Sequence, residues 1–373
     1  MAGIYIHIPF CKQKCTYCDF HFSTTFENYR SEMVKAICEE LIQRKSFLEN
    51  ERIESIYFGG GTPSILNRKE LTLIFNTINQ HFEINVTAEI TLEANPDDIQ
   101  TESLLYWKEL GINRLSIGIQ SFKQEDLTWM NRAHTVNESL SCIQLAQSTG
   151  FQNLTVDLIY GLPNLTNEEW LSHLQKVAQF GVTHISAYCL TIEENTALNK
   201  LVASKKVIPA SEDQQSEQFV ILVNELGALG FEQYEISNFC KPGCEAVHNS
   251  NYWKGKKYLG VGPSAHSYDG IQRAWNIRSN AQYIKLVRKG SEFFESEILS
   301  PENKFNELLL TGLRTKYGVE ISHLERCLAL SKTFWSMVQQ FTDCGLMHQS
   351  RTHIILTMEG RLQADRIASD LFQ

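Results

Sequence analysis

The sequence is short of several things, and each shortage removes a class of function. No stretch approaches the roughly 20 consecutive apolar residues of a membrane-spanning helix, so no span is expected. The opening residues, Met1 to Pro9, show neither the basic segment nor the long apolar run of a secretory signal. Cations are in deficit. Lys and Arg total 34 against 43 Asp and Glu, and the net charge of −9 has the wrong sign for a nucleic-acid footprint or a polybasic membrane anchor. The Gly59-Gly60-Gly61-Thr62-Pro63 run lacks the GxxxxGK[ST] of a nucleotide-triphosphate loop and the GxGxxG of a dinucleotide fold. The ten cysteines lack the spacing of a secreted disulfide framework, so a reducing cytoplasm is the expected compartment.

What is present begins with three cysteines. Cys11, Cys15 and Cys18 read C-x3-C-x2-C. Four thiolates saturate a [4Fe–4S] cluster, so three leave one iron open to a small molecule. A structural zinc site wants four ligands, commonly as paired C-x2-C units. His7 or His21 could complete such a set, so the spacing leaves zinc or free thiols open as alternatives.

Behind the cysteines runs a repeating pattern. Short apolar strands are expected at Ile4–Ile8, Ser55–Phe58, Glu89–Leu92, Arg114–Ile119, Leu154–Ile159 and His184–Cys189. Helical segments alternate with them at Tyr29–Lys45, Arg68–Gln80, Glu102–Glu109, Ser139–Thr149 and Glu168–Phe180, followed by a longer helix at Asp213–Leu229. Glu39, Glu40 and Arg44 read as the charged outer face of the first helix. Alternation of this kind implies an α/β fold with parallel strands and right-handed crossovers. Six units fall short of a closed eight-unit barrel, leaving a partial (β/α) barrel or a doubly wound sheet. Both gather ligands at the carboxyl ends of the strands.

The unusual residues fall at those ends. The cysteines follow the first strand, and Gly59-Gly60-Gly61-Thr62-Pro63 follows the second. Glu93-Ala94-Asn95-Pro96 follows the third and Gln120-Ser121-Phe122 the fourth, while Asp157 lies in the fifth just before Gly161-Leu162-Pro163. A glycine run lets backbone approach a ligand closely, or simply turns a strand into a helix. Glu93 suits an amine or a ribose hydroxyl, or an arginine partner. Gln120 and Asp157 can accept from hydroxyls or an ammonium, or serve structure alone. Arg132 can clamp a carboxylate, or sit solvated on a helix.

The cysteine trio and Gly-Gly-Gly-Thr-Pro resemble the radical S-adenosylmethionine (radical SAM) superfamily. Tyr5 to Cys11, Cys15 to Phe20, Tyr57 to Pro63, Gln120-Ser121-Phe122 and Asp157 to Pro163 resemble its oxygen-independent coproporphyrinogen III oxidase branch over nearly the whole chain. HemN, the oxidase of that branch, has a further cysteine two positions after the third cluster cysteine, where this chain has Phe20. His248-Asn249-Ser250-Asn251-Tyr252-Trp253 is similar to the H-N-x-x-Y-W signature of the HemW heme chaperones. The resemblance implies a radical SAM partial barrel and a [4Fe–4S] cluster on Cys11, Cys15 and Cys18. It implies S-adenosyl-L-methionine (SAM) contacted by Tyr5, Gly60 and Glu93, with Tyr17 beside it. Gly61, Thr62, Gln120, Arg132 and Asp157 match a second SAM-like site described for the HemN branch. It further implies heme as ligand and a heme-acceptor protein as partner. A respiratory-chain acceptor would bring the protein to the inner face of a membrane. Catalysis of porphyrinogen decarboxylation stays open as the alternative.

His248 is the expected heme ligand, since neutral imidazole commonly ligates heme iron. Tyr252 and Trp253 could pack on a porphyrin face. Its plainer alternative is a loop histidine bonded within a corner, with Trp253 in the core. Cys240 and Cys244 precede it as C-x3-C-x3-H and read as structural or idle thiols. Cys38, Cys142, Cys189, Cys327 and Cys344 read as small core residues. Gly260 to Ser267 reads as a loop approaching the barrel mouth, with His266 a further candidate ligand. The expected division is a barrel over 1–230, a connecting segment over 231–300 and a winged-helix-like α+β unit over 301–373. In that unit, helices near Asn303–Lys316, Ile321–Leu330 and Lys332–Cys344 precede strands at Leu346–Gln349 and His353–Thr357 and a helix at Glu359–Leu371. Lys332–Cys344 would be its recognition helix but holds one basic residue, so packing against the barrel or docking a protein partner is expected rather than DNA.

Overall fold

Strand–helix units open the chain: β1 (Ala2–Ile8), α1 (Arg30–Gln43), β2 (Ile53–Gly60), α2 (Arg68–His81), β3 (Ile84–Ala94), α3 (Thr101–Glu109) and β4 (Arg114–Gln120). There follow α4 (Gln124–Trp129), α5 (Val136–Ser148), β5 (Asn153–Tyr160), α6 (Asn167–Gln179), β6 (His184–Cys189), α7 (Ala197–Ala203) and α8 (Glu212–Ala228). The structure is a computed structural model that describes residues 1–373. All five pairings from β1 to β6 are parallel. The helix starts have local causes. Asn67 with Glu70, Thr135 with Glu138 and Thr166 with Glu169 form capping boxes at α2, α5 and α6. Each cap contributes about 1 kcal/mol by satisfying exposed N–H groups.

The stretch 231–300, expected as a connector, is instead part of the sheet. It supplies β7 (Glu232–Glu235), β8 (Asn238–Cys240), α9 (Val247–Trp253), β9 (Tyr258–Val261), β10 (His266–Tyr268), β11 (Gln272–Asn276), α10 (Asn280–Lys289) and β12 (Phe294–Ile298). The sheet has twelve strands in the order β12-β11-β10-β9-β1-β2-β3-β4-β5-β6-β8-β7. One segment thus extends both edges of the six-strand run. Tyr5 of β1 and Tyr188 of β6 line the same cavity, so the sheet curls and its ends face each other. That is the open, partial barrel.

This extension overturns a second expectation. Glu40 and Arg44 are buried, not on an outer face. Glu40 accepts from Arg44 at 3.0 Å, from the Gly262 N–H and Asn276 Nδ2 at 2.8 Å each, and from the Tyr283 hydroxyl at 2.5 Å. Arg44 lies between the rings of Phe47 and Phe294. The strands β9–β12 and α10 cover that face of α1, and helical periodicity cannot reveal a cover that arrives more than 200 residues later.

The remaining chain holds α11 (Pro301–Gly312), β13 (Val319–Glu320), α12 (Ile321–Cys327), α13 (Lys332–Asp343), β14 (Met347–Gln349), β15 (His353–Leu356), α14 (Met358–Arg361) and α15 (Ala364–Asp370). Its sheet runs β13-β15-β14. Fifteen buried side chains form a core separate from the 63-residue core of the barrel, so this unit packs as its own body. The final helix, expected as one piece, is broken at Leu362–Gln363. Cys38 and Cys142 are buried as expected, but Cys189 and Cys327 are half-buried and Cys344 is exposed. No helix is long and apolar enough to cross a membrane.

Candidate functional site

Alternation along the parallel strands separates two sets of side chains. Ile4, Ile56, Leu92, Leu115, Leu154 and Ile185 join the apolar core. Their neighbours point into the barrel and are polar. Tyr57, Glu93, Ser116, Asp157 and Ser186 line a cavity of about 390 Å³ at the carboxyl ends of the strands. Cys11, Cys15, Cys18, Tyr17, Gly60, Gly61, Thr62, Gln120 and Arg132 line it too. Tyr5 does not, and lines a neighbouring cavity instead.

The cysteine loop is held by backbone. The Cys11 N–H donates to Ser23 O at 3.1 Å and the Thr16 N–H to Met130 O at 3.1 Å. The Gly61 N–H donates to Ile8 O at 2.8 Å and the Thr62 N–H to Phe10 O at 2.7 Å. A Cβ on Gly61 would stand 2.5 Å from Phe10 O, so glycine is required where the two loops meet. All three cysteines are half-buried and free of disulfides. Their sulfurs, like every other group of three ligating side chains, do not stand within reach of one metal ion. Thr62 Oγ1 donates to Cys11 Sγ and Arg132 Nη1 to Cys15 Sγ, both at 3.5 Å. Burial pushes the Cys11 thiol up to about 11 and the Cys18 thiol up to about 12. Metal coordination reverses that penalty by displacing the proton. Three soft sulfur donors with hydrogen-bond donors behind two of them fit an iron–sulfur cluster. The zinc alternative loses its fourth ligand. His7 Nε2 is 2.8 Å from His21 O and its Nδ1 3.1 Å from Tyr5 Oη, while His21 Nε2 faces Asn280 Oδ1 at 2.8 Å.

The rest of this cavity is set to meet a cation and hydroxyls. Burial raises Glu93 to about 7 and Asp157 to about 6. Tyr57 donates to Glu93 Oε1 at 2.7 Å, and Ser116 donates to Asp157 at 3.2 Å. An ammonium or a hydroxyl cluster would stabilise both carboxylates. Gln120 holds φ at 68°, a left-handed conformation that costs a non-glycine residue about 1–3 kcal/mol. Arg132 is not a solvated surface charge. Its Nη2 donates to Asn95 Oδ1 at 2.6 Å and Gly118 O at 2.9 Å, and its buried Nε has no partner.

The second cavity, about 810 Å³, opens along the side of the barrel. His248 stands at its edge. The N–H groups of Val247 and His248 donate to the Glu89 carboxylate at 2.9 and 3.0 Å, which seats α9 against the barrel interior. The imidazole then reaches inward. Nδ1 meets Ser55 Oγ at 2.9 Å, and the ring stacks on Tyr57 at 5.1 Å and 28°. A Cβ on Gly3 would crowd the ring at 3.3 Å. Burial lowers the imidazole to about 4, so it is neutral, and Nε2 has no hydrogen-bond partner. Tyr252 and Trp253 line the cavity, Trp253 half-buried rather than in the core, with Arg314 over its ring at 5.3 Å. Lys256 and Arg278 add positive charge against Asp19 and Glu235, while Lys257 is paired with Glu49 and Glu51 and Arg273 with Glu307. His266 also lines it, and the Gly262 loop presses on the β1 backbone, where a Cβ would lie 2.4 Å from His7 O.

Residues 5–177 match the Radical SAM superfamily, and residues 299–362 match the HemN C-terminal domain. The fold superimposes on coproporphyrinogen III oxidase (HemN) of Escherichia coli with a TM-score of 0.86 and 22% identity, covering 100% of this chain and 90% of that one. The heme chaperone HemW of Bacillus subtilis is 32% identical, covering 98% of each chain. The chain belongs to the HemW family. Another HemW, from Lactococcus lactis, is 32% identical over 95% of this chain and 93% of its own length.

In this HemW-family chain the barrel gathers eight of the nine SAM-site candidates into one cavity, and puts Tyr5 and His248 in the next. Tyr57 and Ser55, which touch His248, went unassigned in the sequence reading. Their signal is alternation: both occupy inward positions of β2, two residues apart, on a strand whose other face is apolar.

Proposed function

We propose that this chain is a heme chaperone. It holds heme in the lateral cavity and passes it to an acceptor protein, with a [4Fe–4S] cluster on Cys11, Cys15 and Cys18 and exchangeable SAM in the upper cavity. One observation carries the reading: a neutral imidazole, anchored through Nδ1, leaves Nε2 free beside a cavity of about 810 Å³. Neutral imidazole is the ligand form for heme iron. Tyr252 and Trp253 offer faces to a macrocycle, and Lys256 and Arg278 suit its carboxylates. Arg278 reaches only the Asp19 carbonyl, at 3.5 Å, and keeps charge in reserve.

When bound, the cluster and SAM supply one-electron chemistry at an open iron. Glu93 would take the SAM ammonium, with Gly60 permitting close approach at φ 101°. Gln120 and Asp157 would take hydroxyls, and Arg132 would brace the Cys15 sulfur. The names of the relatives in Bacillus subtilis and Lactococcus lactis support the chaperone reading. A second reading, oxidative decarboxylation of coproporphyrinogen, draws on the likeness of fold to HemN. Phe20 stands against it, since it replaces the further cysteine at the wall between the cavities. The acceptor would be a protein of the cytoplasm or of a respiratory chain, reached without a spanning helix.

Hemin titration of the cluster-reconstituted protein, beside an anaerobic coproporphyrinogen assay, tests this. Stoichiometric hemin binding that His248→Ala weakens at least about tenfold, the scale of losing a strong ligand contact, is expected. Efficient protoporphyrinogen formation would sink the assignment.

A further inference from the structure

We propose that Tyr57 couples the two cavities, so that a ligand at Glu93 sets how firmly His248 holds a metalloporphyrin. The inference rests on the heme-site reading above and adds a residue and a direction to it. Tyr57 is one rigid phenol with both sites attached. Its hydroxyl donates to Glu93 Oε1 at 2.7 Å in the upper cavity. Its face lies on the His248 imidazole at 5.1 Å and 28° in the lateral one. It lines both cavities.

The surroundings leave the ring no independent support at its polar end. A Cβ on Gly59 would come within 2.8 Å of Tyr57 Cε1, 3.0 Å of Glu93 Oε1 and 3.1 Å of Tyr5 Cε2. Glycine at this position is what lets the three side chains meet. Tyr5 stacks on Tyr57 at 6.1 Å but directs its own hydroxyl to His7, away from Glu93. The imidazole is held by Ser55 at Nδ1 and by the Tyr57 face, with the Tyr5 ring tilted beside it at 6.4 Å and 31°. Ser55 sets the position of Nδ1, and the Tyr57 face sets the tilt of the ring about it.

A ligand that immobilises Glu93 therefore immobilises the acceptor of the Tyr57 hydroxyl, and with it the surface on which His248 rests. Ordering completed by the first ligand no longer opposes the second. Filling the upper cavity should tighten heme binding, and heme should tighten the upper ligand by the same factor. Tyr57 is thus a positioning residue for His248.

The test is hemin titration of the full-length, cluster-reconstituted protein with and without saturating SAM, read from the Soret band. The result is the ratio of the two affinities within each variant, so a change in hemin affinity alone cancels. The wild-type ratio should be about fivefold or more, the lower end of measured couplings. Tyr57→Phe keeps the stacked face but loses the bond to Glu93, and its ratio should fall to near one. Tyr57→Leu, which also removes the face, should do the same and serves if Tyr57→Phe does not fold. A wild-type ratio of one, or a Tyr57→Phe ratio equal to wild type, overturns the coupling while leaving the heme site intact. Hemin affinity indifferent to His248→Ala overturns the heme-site reading itself.

Discussion

The two cavities adjoin, sharing Asp19, Phe20, Tyr57, Tyr188 and Asn249, yet they are built by opposite means. The upper one is compact and takes almost all its lining from the ends of β1–β6 and the loops that follow them. Its chemistry is buried carboxyls and thiols. The lateral one is roomier, aromatic and cationic, and much of its wall comes from residues 231–300. Strand ends of a parallel barrel always meet at one mouth, so the upper site follows from local order along the chain. The lateral site exists only because a later segment pairs with both edges of the sheet and inserts α9.

That contrast can be broken on one side. Arg44→Ala should have the largest effect. It leaves the Glu40 carboxylate buried without its cation, a loss of about 3–5 kcal/mol. The Glu40 network ties α1 to Gly262, Asn276 and Tyr283. Hydrogen exchange should therefore rise first in β9–β12 and α10, and denaturant melts should show the loss. Equal loosening of β3–β5 would contradict the division.

Acidity should sharpen the contrast next. Glu93 and Asp157, raised by burial to about 7 and about 6, become neutral as pH falls through those values. Attraction for an ammonium at Glu93 disappears with its charge, so SAM affinity should fall by up to about tenfold per pH unit below about 7. His248 titrates the other way. Its protonated form is the charged one, and burial lowers it to about 4, so it stays neutral throughout. Isothermal titrations between about pH 7.5 and pH 5 should lose SAM binding and retain hemin binding.

Ser55→Ala gives the smallest effect. It removes one hydrogen bond from Nδ1 at 2.9 Å and should cost about 1 kcal/mol in hemin affinity. SAM binding should not respond. Loss of both would show that the two walls act as one.

Legibility in the sequence follows the same division. The six strands, their capped helices and the strand-end residues are local patterns. Glycines at 59–61 and the C-x3-C-x2-C spacing are short-range signals that survive any detail of curvature. Glu40 and Arg44 show the limit. Their i, i+4 spacing is that of a solvated surface pair, and only partners 216 to 243 positions away make it a buried one. His248 shows it again. Its motif named a candidate ligand, but Ser55, 193 positions earlier, is what anchors Nδ1 and frees Nε2.

Residue order alone settled the α/β class, the gathering of Glu93, Gln120 and Asp157 with the cysteines, and the absence of a spanning helix. Local periodicity and the geometry of parallel strands suffice for those. Tertiary structure decided that 231–300 belongs to the sheet, that Tyr5 sits with His248, and that Tyr57 touches both sites. Pairing at a sheet edge and stacking across a barrel join residues that no local pattern links.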